Sequence, residues 1–475
     1  MTRVTSLAGI FVLAVIVMVS SAVGADSQQR RVLRVGAYAR DITPTHLPCF
    51  VSGGYFNAKA DKVHHRIYSR SLVIDDGSGP IVIATMDNTG AFRPLFDEVK
   101  RLVTEETGIP AERITISSTH THSGPAARAS TRALDPDPLY VKEVPGMMAR
   151  GIIQAHKNMR PARIGWAKID AADFTFCRRW IARSDRKPAN PFGGHDFARM
   201  HPRNPAVDYV GPSGPVDSEL SVLAFQTTDG RPLAMMMNFS QHYYGAPKLS
   251  SDYQGRVCTF MEERLGKKEQ DPPFVGLFTQ GTSGDLAKGN YHGDGRGHFA
   301  GLDDYSKKLV DKAMQAYKTI EFQDWVPVRI AERKIKIPYR VPTPEQLAWA
   351  KQTVAKMKDR PHNKSEVHAD EITLLEKAEI PEMIFQAIRL GDVGITAMPF
   401  EVYSITGMKL KARSPLPFTF NVSLANGDRG YLPPPEQHAL GGYSTWIRRM
   451  SMGPEVEPLT VETELQLLEE VAGKK

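Results

Sequence analysis

The sequence predicts an α/β protein, with mixed β-sheets layered with helices in one large domain and a site gathered at strand ends. Three observations lead there. β-dense runs such as "PIVIATMD" alternate with amphipathic helical runs such as "LFDEVKRLVTEETG" along the whole chain. No repeat, low-complexity tract or obvious linker divides the 475 residues. Residues capable of chemistry recur just after apolar strands, where loops carry reactive groups on a rigid base.

The elements follow in order. "SLVIDD" and "PIVIATMD" read as paired strands around "GSG". The helix from Leu95 stops at Gly108, and "RITISST" is the next strand. Residues 137–159 read as a helical region interrupted at Pro145. The stretch from Arg178 to Pro215, rich in Arg, Pro, Gly and Asn, reads as a long loop. "SVLAFQ" and "PLAMMMNFS" are strands around "TTDGR", followed by a helix from Asp252, the strand "PFVGLFTQ" and a helix from Leu302. "VRIAERKIKIPY" opens a more peripheral part, with a helix capped by Thr343 and a hairpin around Gly391–Asp392. The remainder reads as loop, with a final polar helix before Gly473.

Bulk properties narrow the function. Net charge is +7, from 60 basic and 53 acidic residues, with no dense Lys/Arg block, so nucleic acid is not an expected partner. No protein partner is inferred. Arg3, the run "LAGIFVLAVIVMV" and the small residues "SSAVGA" have the layout of a secretory signal peptide over residues 1–25, cut near Gly24 or Ala25. A retained membrane anchor is the alternative. The expected location is therefore periplasmic or extracellular. Cys49, Cys177 and Cys258 fit no zinc motif and read as small buried residues or one disulfide of unknown pairing.

Five strand ends carry the chemistry. Asp87 and Asn88 follow "IVIATM", His120 and His122 follow "ITISST", and His242 follows "AMMMNFSQ". Asp285 closes "VGLFTQGTSGD", and Glu401 follows "GITAMPF". Two histidines at i, i+2 on an extended segment face the same way, and neutral imidazoles suit zinc. The plain alternative is that one histidine caps the strand while the other bonds a carboxylate. His64, His65 and His195 read as surface or loop residues.

"THTHSGP", from Thr119 to Pro125, resembles the corresponding segment of the neutral/alkaline ceramidase family, exported zinc amidases that cleave N-acyl sphingosine. In the same order come "RIYSRSLVIDD", "MDNTG", the approach to His242, "SSDYQG", "AMPFE" and "NGDRGYLPPPEQHALGGYST". The resemblance runs from Val35 to about Trp446. It implies a zinc hydrolase domain over residues 32–450 with a tail at 451–475. It also implies Zn2+ held by His120, His242, Glu401 and Tyr431, with His122 behind them and Arg178 facing the site. Two departures stand out. Ala287 occupies the place of the family's serine, which closes a serine-acyl route there, and the chain ends where many members continue into an immunoglobulin-like domain.

The function that fits both departures is amide hydrolysis by zinc-activated water on a small-molecule or lipid substrate, with peripheral membrane contact as an accompanying option. His122 or Asp285 would move the proton and Tyr431 would donate to the oxyanion. Two alternatives stand beside it. The scaffold could act on another amide or an ester, such as a carbohydrate-linked one, or serve as a non-catalytic module holding a metal.

Overall fold

The computed structural model describes residues 1–2, 31–128, 132–376, 378–448 and 450–473. The N-terminal apolar run and its expected cleavage site lie outside the described residues. Among those described, no helix is long and apolar enough to cross a membrane. The fold below is that of residues 32–475.

Eight strands form the larger sheet, in the order Val275–Gln280, Pro232–Phe239, Glu219–Thr227, Arg160–Asp170, Arg34–Asp41, Tyr68–Asp75, Ile81–Met86 and Ile114–Ser118. Neighbours run antiparallel except for the outermost pair at each edge, which is parallel. A parallel pair needs a crossover, and the helices Arg93–Thr107 and Asp252–Leu265 supply one at each edge. A second sheet of four strands runs Val328–Lys336, Glu382–Leu390, Val393–Ala397 and Phe418–Val422.

Side-chain alternation stacks these elements into four layers. Leu72 and Ile74 face the second sheet while Val73 faces helices; Leu223 and Phe225 face the second sheet while Val222 faces helices. The core between the sheets is therefore built from both, and each outer face is covered by helices. Arg93–Thr107 and Pro138–Lys157 cover one part of the larger sheet; Asp252–Leu265 and Leu302–Tyr317 cover the other. Mixed sheets with helices in one domain are what the sequence predicted.

Several local expectations change. The helix Pro138–Lys157 runs unbroken past Pro145, seated on the sheet through Val144, Met148 and Ile152. Tertiary packing there outweighs the hydrogen bond that proline cannot make. Within the expected loop 178–215, short strands Arg179–Ala182, Ala198–Met200 and Tyr209–Pro212 form a three-stranded sheet. They are too short to show a period in the sequence. The final helix expected before Gly473 spans Val456–Ala472, but it is not merely polar: its Val461, Leu465 and Leu468 pack against the second sheet. Each fully buried leucine of this kind contributes roughly 1.5–3 kcal/mol. The cysteines are all buried and unpaired.

One buried group strains this packing. Lys100, on Arg93–Thr107, is 3% exposed and its ammonium has no hydrogen-bond partner. Burial lowers its pKa to about 8, against the pull of Glu332 and Asp97. Between that value and the ordinary 10.5 the unfolded chain binds more protons than the folded one. Stability from this site therefore rises with pH across the window. Lys100→Met is expected to be more stable than the parent by roughly 1–3 kcal/mol at pH 7, with the gap closing toward pH 10.5. Urea unfolding at both pH values checks this; a gap that stays constant would refute it.

Candidate metal centre

The larger sheet curls until its two edge strands approach each other. His120, past the end of one edge strand, thereby meets His242, past the end of the strand beside the other edge. The strand ending at Ser118 does not extend through the histidine pair. His120 sits in the left-handed region at φ 70°, its amide donating to the Asn88 carbonyl at 2.8 Å. This turn, rather than an extended i, i+2 alignment, brings His122 back beside His120.

Each imidazole is oriented by a backbone carbonyl. The Nδ1 atoms of His120, His122 and His242 lie 2.6 Å from Thr89 O, 2.7 Å from Gly53 O and 3.1 Å from Ser283 O. A carbonyl can only accept, so Nδ1 carries the proton and Nε2 presents a lone pair. The Nε2 atom of His120 is 3.1 Å from that of His242 and 3.2 Å from that of His122. Glu401 Oε2 approaches His120 Nε2 at 3.4 Å and His242 Nε2 at 3.7 Å, and has no hydrogen-bond partner. Gly53 makes the His122 contact feasible: its φ is 140°, and a Cβ there would lie 2.2 Å from the His122 carbonyl oxygen.

Electrostatics reinforce the arrangement. Burial, with His120 beside His122 and Arg178 beside His242, pushes both of these imidazoles well below the ordinary range, so they are neutral at pH 7. Arg178 Nη2 lies 3.3 Å from His242 Nε2, yet three imidazole nitrogens and an unpartnered carboxylate oxygen gathered this closely still favour a further cation among them. The donors are nitrogen and oxygen, the set that zinc favours. These residues fit a divalent metal ion.

Tyr431 enters through a short parallel pairing with Glu401. Its ring stacks 6.4 Å from that of His242, and its hydroxyl lies 3.2 Å from Arg178 Nη2 and 3.3 Å from Tyr443 Oη. Burial and the nearby Glu401 hold the phenol well above its usual pKa, so it stays protonated. Arg178 is 2% exposed and also donates to the Gly284 carbonyl at 2.8 Å. The strand ends thus gather His120, His122, His242, Glu401, Tyr431 and Arg178.

Asp285 stands apart from them. Its Oδ1 accepts from the Ser404 amide at 2.8 Å and its carbonyl accepts from the Arg178 amide at 2.9 Å, and it does not line the cavity. Burial raises its pKa to about 6, against the Ser404 amide, yet the carboxyl braces a helix start and is withdrawn as a proton carrier. Ala287 is buried in a two-residue strand and does not line the cavity either. Asp87 is likewise structural, ion-paired with buried Arg70 at 2.9 Å.

A cavity of about 610 Å³ opens on the cluster, lined among others by Tyr55, Met200, Tyr443, Trp446 and Arg448. Tyr243 stacks on His122 with centroids 3.9 Å apart. Sequence reasoning passed over Tyr443, Tyr243 and Arg448. Only the adjacency of Tyr243 to His242 could have signalled one of them.

A four-layer α/β fold with a buried imidazole–carboxylate cluster at its strand ends defines a protein with a candidate metal centre in a cavity. The chain belongs to the neutral/alkaline non-lysosomal ceramidase family, whose N-terminal sequence model matches residues 33–295. Neutral ceramidases A and B of Dictyostelium discoideum are 22% and 25% identical over 244 and 241 residues, each match covering 47% of this chain and 31% of the relative. The matched region thus spans about a third of the length of these curated relatives. The crystal structure of neutral ceramidase from Pseudomonas aeruginosa superposes with a TM-score of 0.69 at 17% identity, over 94% of this chain and 75% of that one. A second solved structure, a ceramidase complexed with C2, gives the same TM-score at 16% identity, over 94% and 76% of the two chains. These likenesses show a shared fold.

Metal analysis of the purified protein is expected to find about one zinc per chain. Replacing His120 or His242 by alanine should weaken zinc binding by more than the ~10–100-fold typical of losing a residue behind a ligand. Stoichiometric zinc retained by the His120→Ala, His242→Ala double variant would exclude this site.

Proposed function

We propose that the protein is an exported zinc-dependent amide hydrolase of the ceramidase kind, acting on N-acyl sphingosine or a related N-acyl compound. The observation that carries this reading is the convergence of three Nε2 lone pairs and the unpartnered Glu401 oxygen at one point in a cavity. Family membership supports the reaction class.

His120, His242 and Glu401 would hold the ion, with His122 Nε2 and the Tyr431 hydroxyl at its flanks. Zinc, when bound, supplies Lewis acidity and lowers the pKa of water to about 7. The chain's own residues do the rest. Tyr431 is a neutral phenol whose oxygen accepts from Arg178, which leaves its proton for an oxyanion formed from the amide carbonyl. Arg178 is pinned to the Gly284 carbonyl and keeps that phenol in place. His122, neutral and fixed by Gly53, can take a proton at Nε2 from the attacking water and hand it to the departing nitrogen. The net change is balanced: water adds across the amide, the C–O bond forms, the C–N bond breaks, and a carboxylate and an ammonium leave. Tyr243, stacked on His122, excludes water from one side of that imidazole.

Tyr431→Phe is expected to lower kcat for release of fatty acid from an N-acyl substrate by about 10²–10³, with KM changing only a few-fold. Full activity in this variant would remove Tyr431 from the mechanism. Turnover of any amide by the parent excludes the purely structural role for the metal. Export is checked separately: N-terminal sequencing of the secreted protein is expected to begin at Ala25 or Asp26, and an intact Met1 would favour a retained anchor.

A further inference from the structure

Arg178 stands behind Tyr431, and its guanidinium is held at few points. Nε has no hydrogen-bond partner, so the group is fixed through its two Nη atoms. Nη2 is shared: it lies 2.8 Å from Gly284 O, 3.2 Å from Tyr431 Oη and 3.3 Å from both ring nitrogens of His242. It has two hydrogens for these partners. One bond to Gly284 leaves the planar fork free to pivot, and a small pivot would carry the second hydrogen from Tyr431 toward His242. Nη1 supplies the second point that fixes the plane, and its partner is His201 Nε2 at 3.3 Å.

His201 grips Arg178 at both ends. Its amide donates to the Arg178 carbonyl at 2.7 Å, while its ring meets the guanidinium. One residue makes both contacts because the chain turns at His201, just past the short strand Ala198–Met200, with φ 55°. A residue with a side chain seldom takes that left-handed conformation, and here it lies in the cavity lining. A guanidinium only donates, so Nε2 of His201 accepts and the proton sits on Nδ1. Nδ1 then donates to Tyr291 Oη at 2.8 Å. Tyr291 is seated edge-on to Trp180 with centroids 6.5 Å apart, and Trp180 Nε1 donates at 3.1 Å to the carbonyl of Cys177, the residue before Arg178. Desolvation in the cavity wall and the charge of Arg178 lower the His201 pKa to about 4, which keeps the ring an acceptor at pH 7. Tyr291, His201, Arg178 and Tyr431 thus form one line of hydrogen bonds ending at the phenol beside the imidazole cluster.

We propose that His201, set in its tautomer by Tyr291, is a positioning residue that aims Arg178 at Tyr431. This rests on the hydrolase reading above, in which the Tyr431 proton goes to the oxyanion. With Nη1 held by His201, Nη2 stays on the phenol oxygen and the phenol keeps its proton for the substrate. His201 acts through Arg178 and not on the reacting atoms.

Steady-state kinetics with N-octanoylsphingosine on the zinc-loaded full chain test this. His201→Gly removes the ring and suits the positive φ; it should lower kcat about tenfold with KM within about threefold of the parent. His201→Gln, whose Oε1 can accept from Nη1, should restore part of the loss, and Tyr291→Phe should lower kcat several-fold. In a Tyr431→Phe background His201→Gly should cost less than about twofold, because both changes remove one shared interaction. A full tenfold penalty there, a loss carried by KM, or an unchanged kcat overturns the proposal while leaving the hydrolase reading intact. Imidazole 15N shifts give a readout that needs no turnover. The parent should hold His201 in the single Nδ1–H tautomer, and Tyr291→Phe should mix the two tautomers. That pattern in a parent that cleaves no N-acyl amide upholds the hydrogen-bonded line and sinks the hydrolase reading, whereas mixed tautomers in the parent overturn the line. Should His201→Gly not melt cooperatively, Tyr291→Phe alone and combined with Tyr431→Phe decides the matter.

Discussion

A four-residue strip of backbone closes the structure around its site. Ser423 donates to Gln280 O at 2.9 Å, while Leu424 O accepts from Ser118 N at 3.1 Å and Asn426 N donates to Ile116 O at 2.7 Å. The strip therefore bonds to both edges of the eight-stranded sheet at once. It satisfies edge groups that would otherwise be exposed, and it fixes how closely the edges approach. Leu424 and Ala425 also donate to Phe400 O and Met398 O, which anchors the run into Glu401. Without this clasp the loops after Ser118 and Phe239 would have no reason to bring His120 and His242 to 3.1 Å.

The clasp puts donors in place; backbone carbonyls decide what they can do. Thr89, Gly53 and Ser283 each take the proton of one imidazole, so all three rings present the same nitrogen inward. Burial keeps His122 and His242 neutral, where protonated rings would destroy a metal site. The phenol of Tyr431 is kept protonated by the same burial. One environment thus leaves the nitrogens as lone pairs and the phenol as a donor. Asp285 shows the contrary case: a carboxyl in the right part of the sequence, spent on a helix start.

The cavity is lined by elements of different origin. The imidazole cluster sits on strand ends held by the clasp, whereas Arg448 and Lys364 come from the C-terminal loop and from the helical hairpin inserted between Val328–Lys336 and Glu382–Leu390. Insertions of this kind can vary without disturbing the sheets.

The sequence by itself determined the α/β class, the strands ending at Ser118, Phe239 and Gln280, and the candidacy of His120, His122, His242 and Glu401. These are local signals: apolar period, turn residues, and metal-suited side chains after strands. It also yielded Tyr431 and Arg178, through motif resemblance. Tertiary structure alone decided that these residues meet, because 122 positions separate His120 from His242 and the curl of the sheet closes that gap. It decided that Asp285 turns away and that the C-terminal helix belongs to the core, since both depend on partners remote in the chain. It alone placed Tyr243, Tyr443 and Arg448 around the cavity, because a lining set by packing leaves no period, spacing or motif to read.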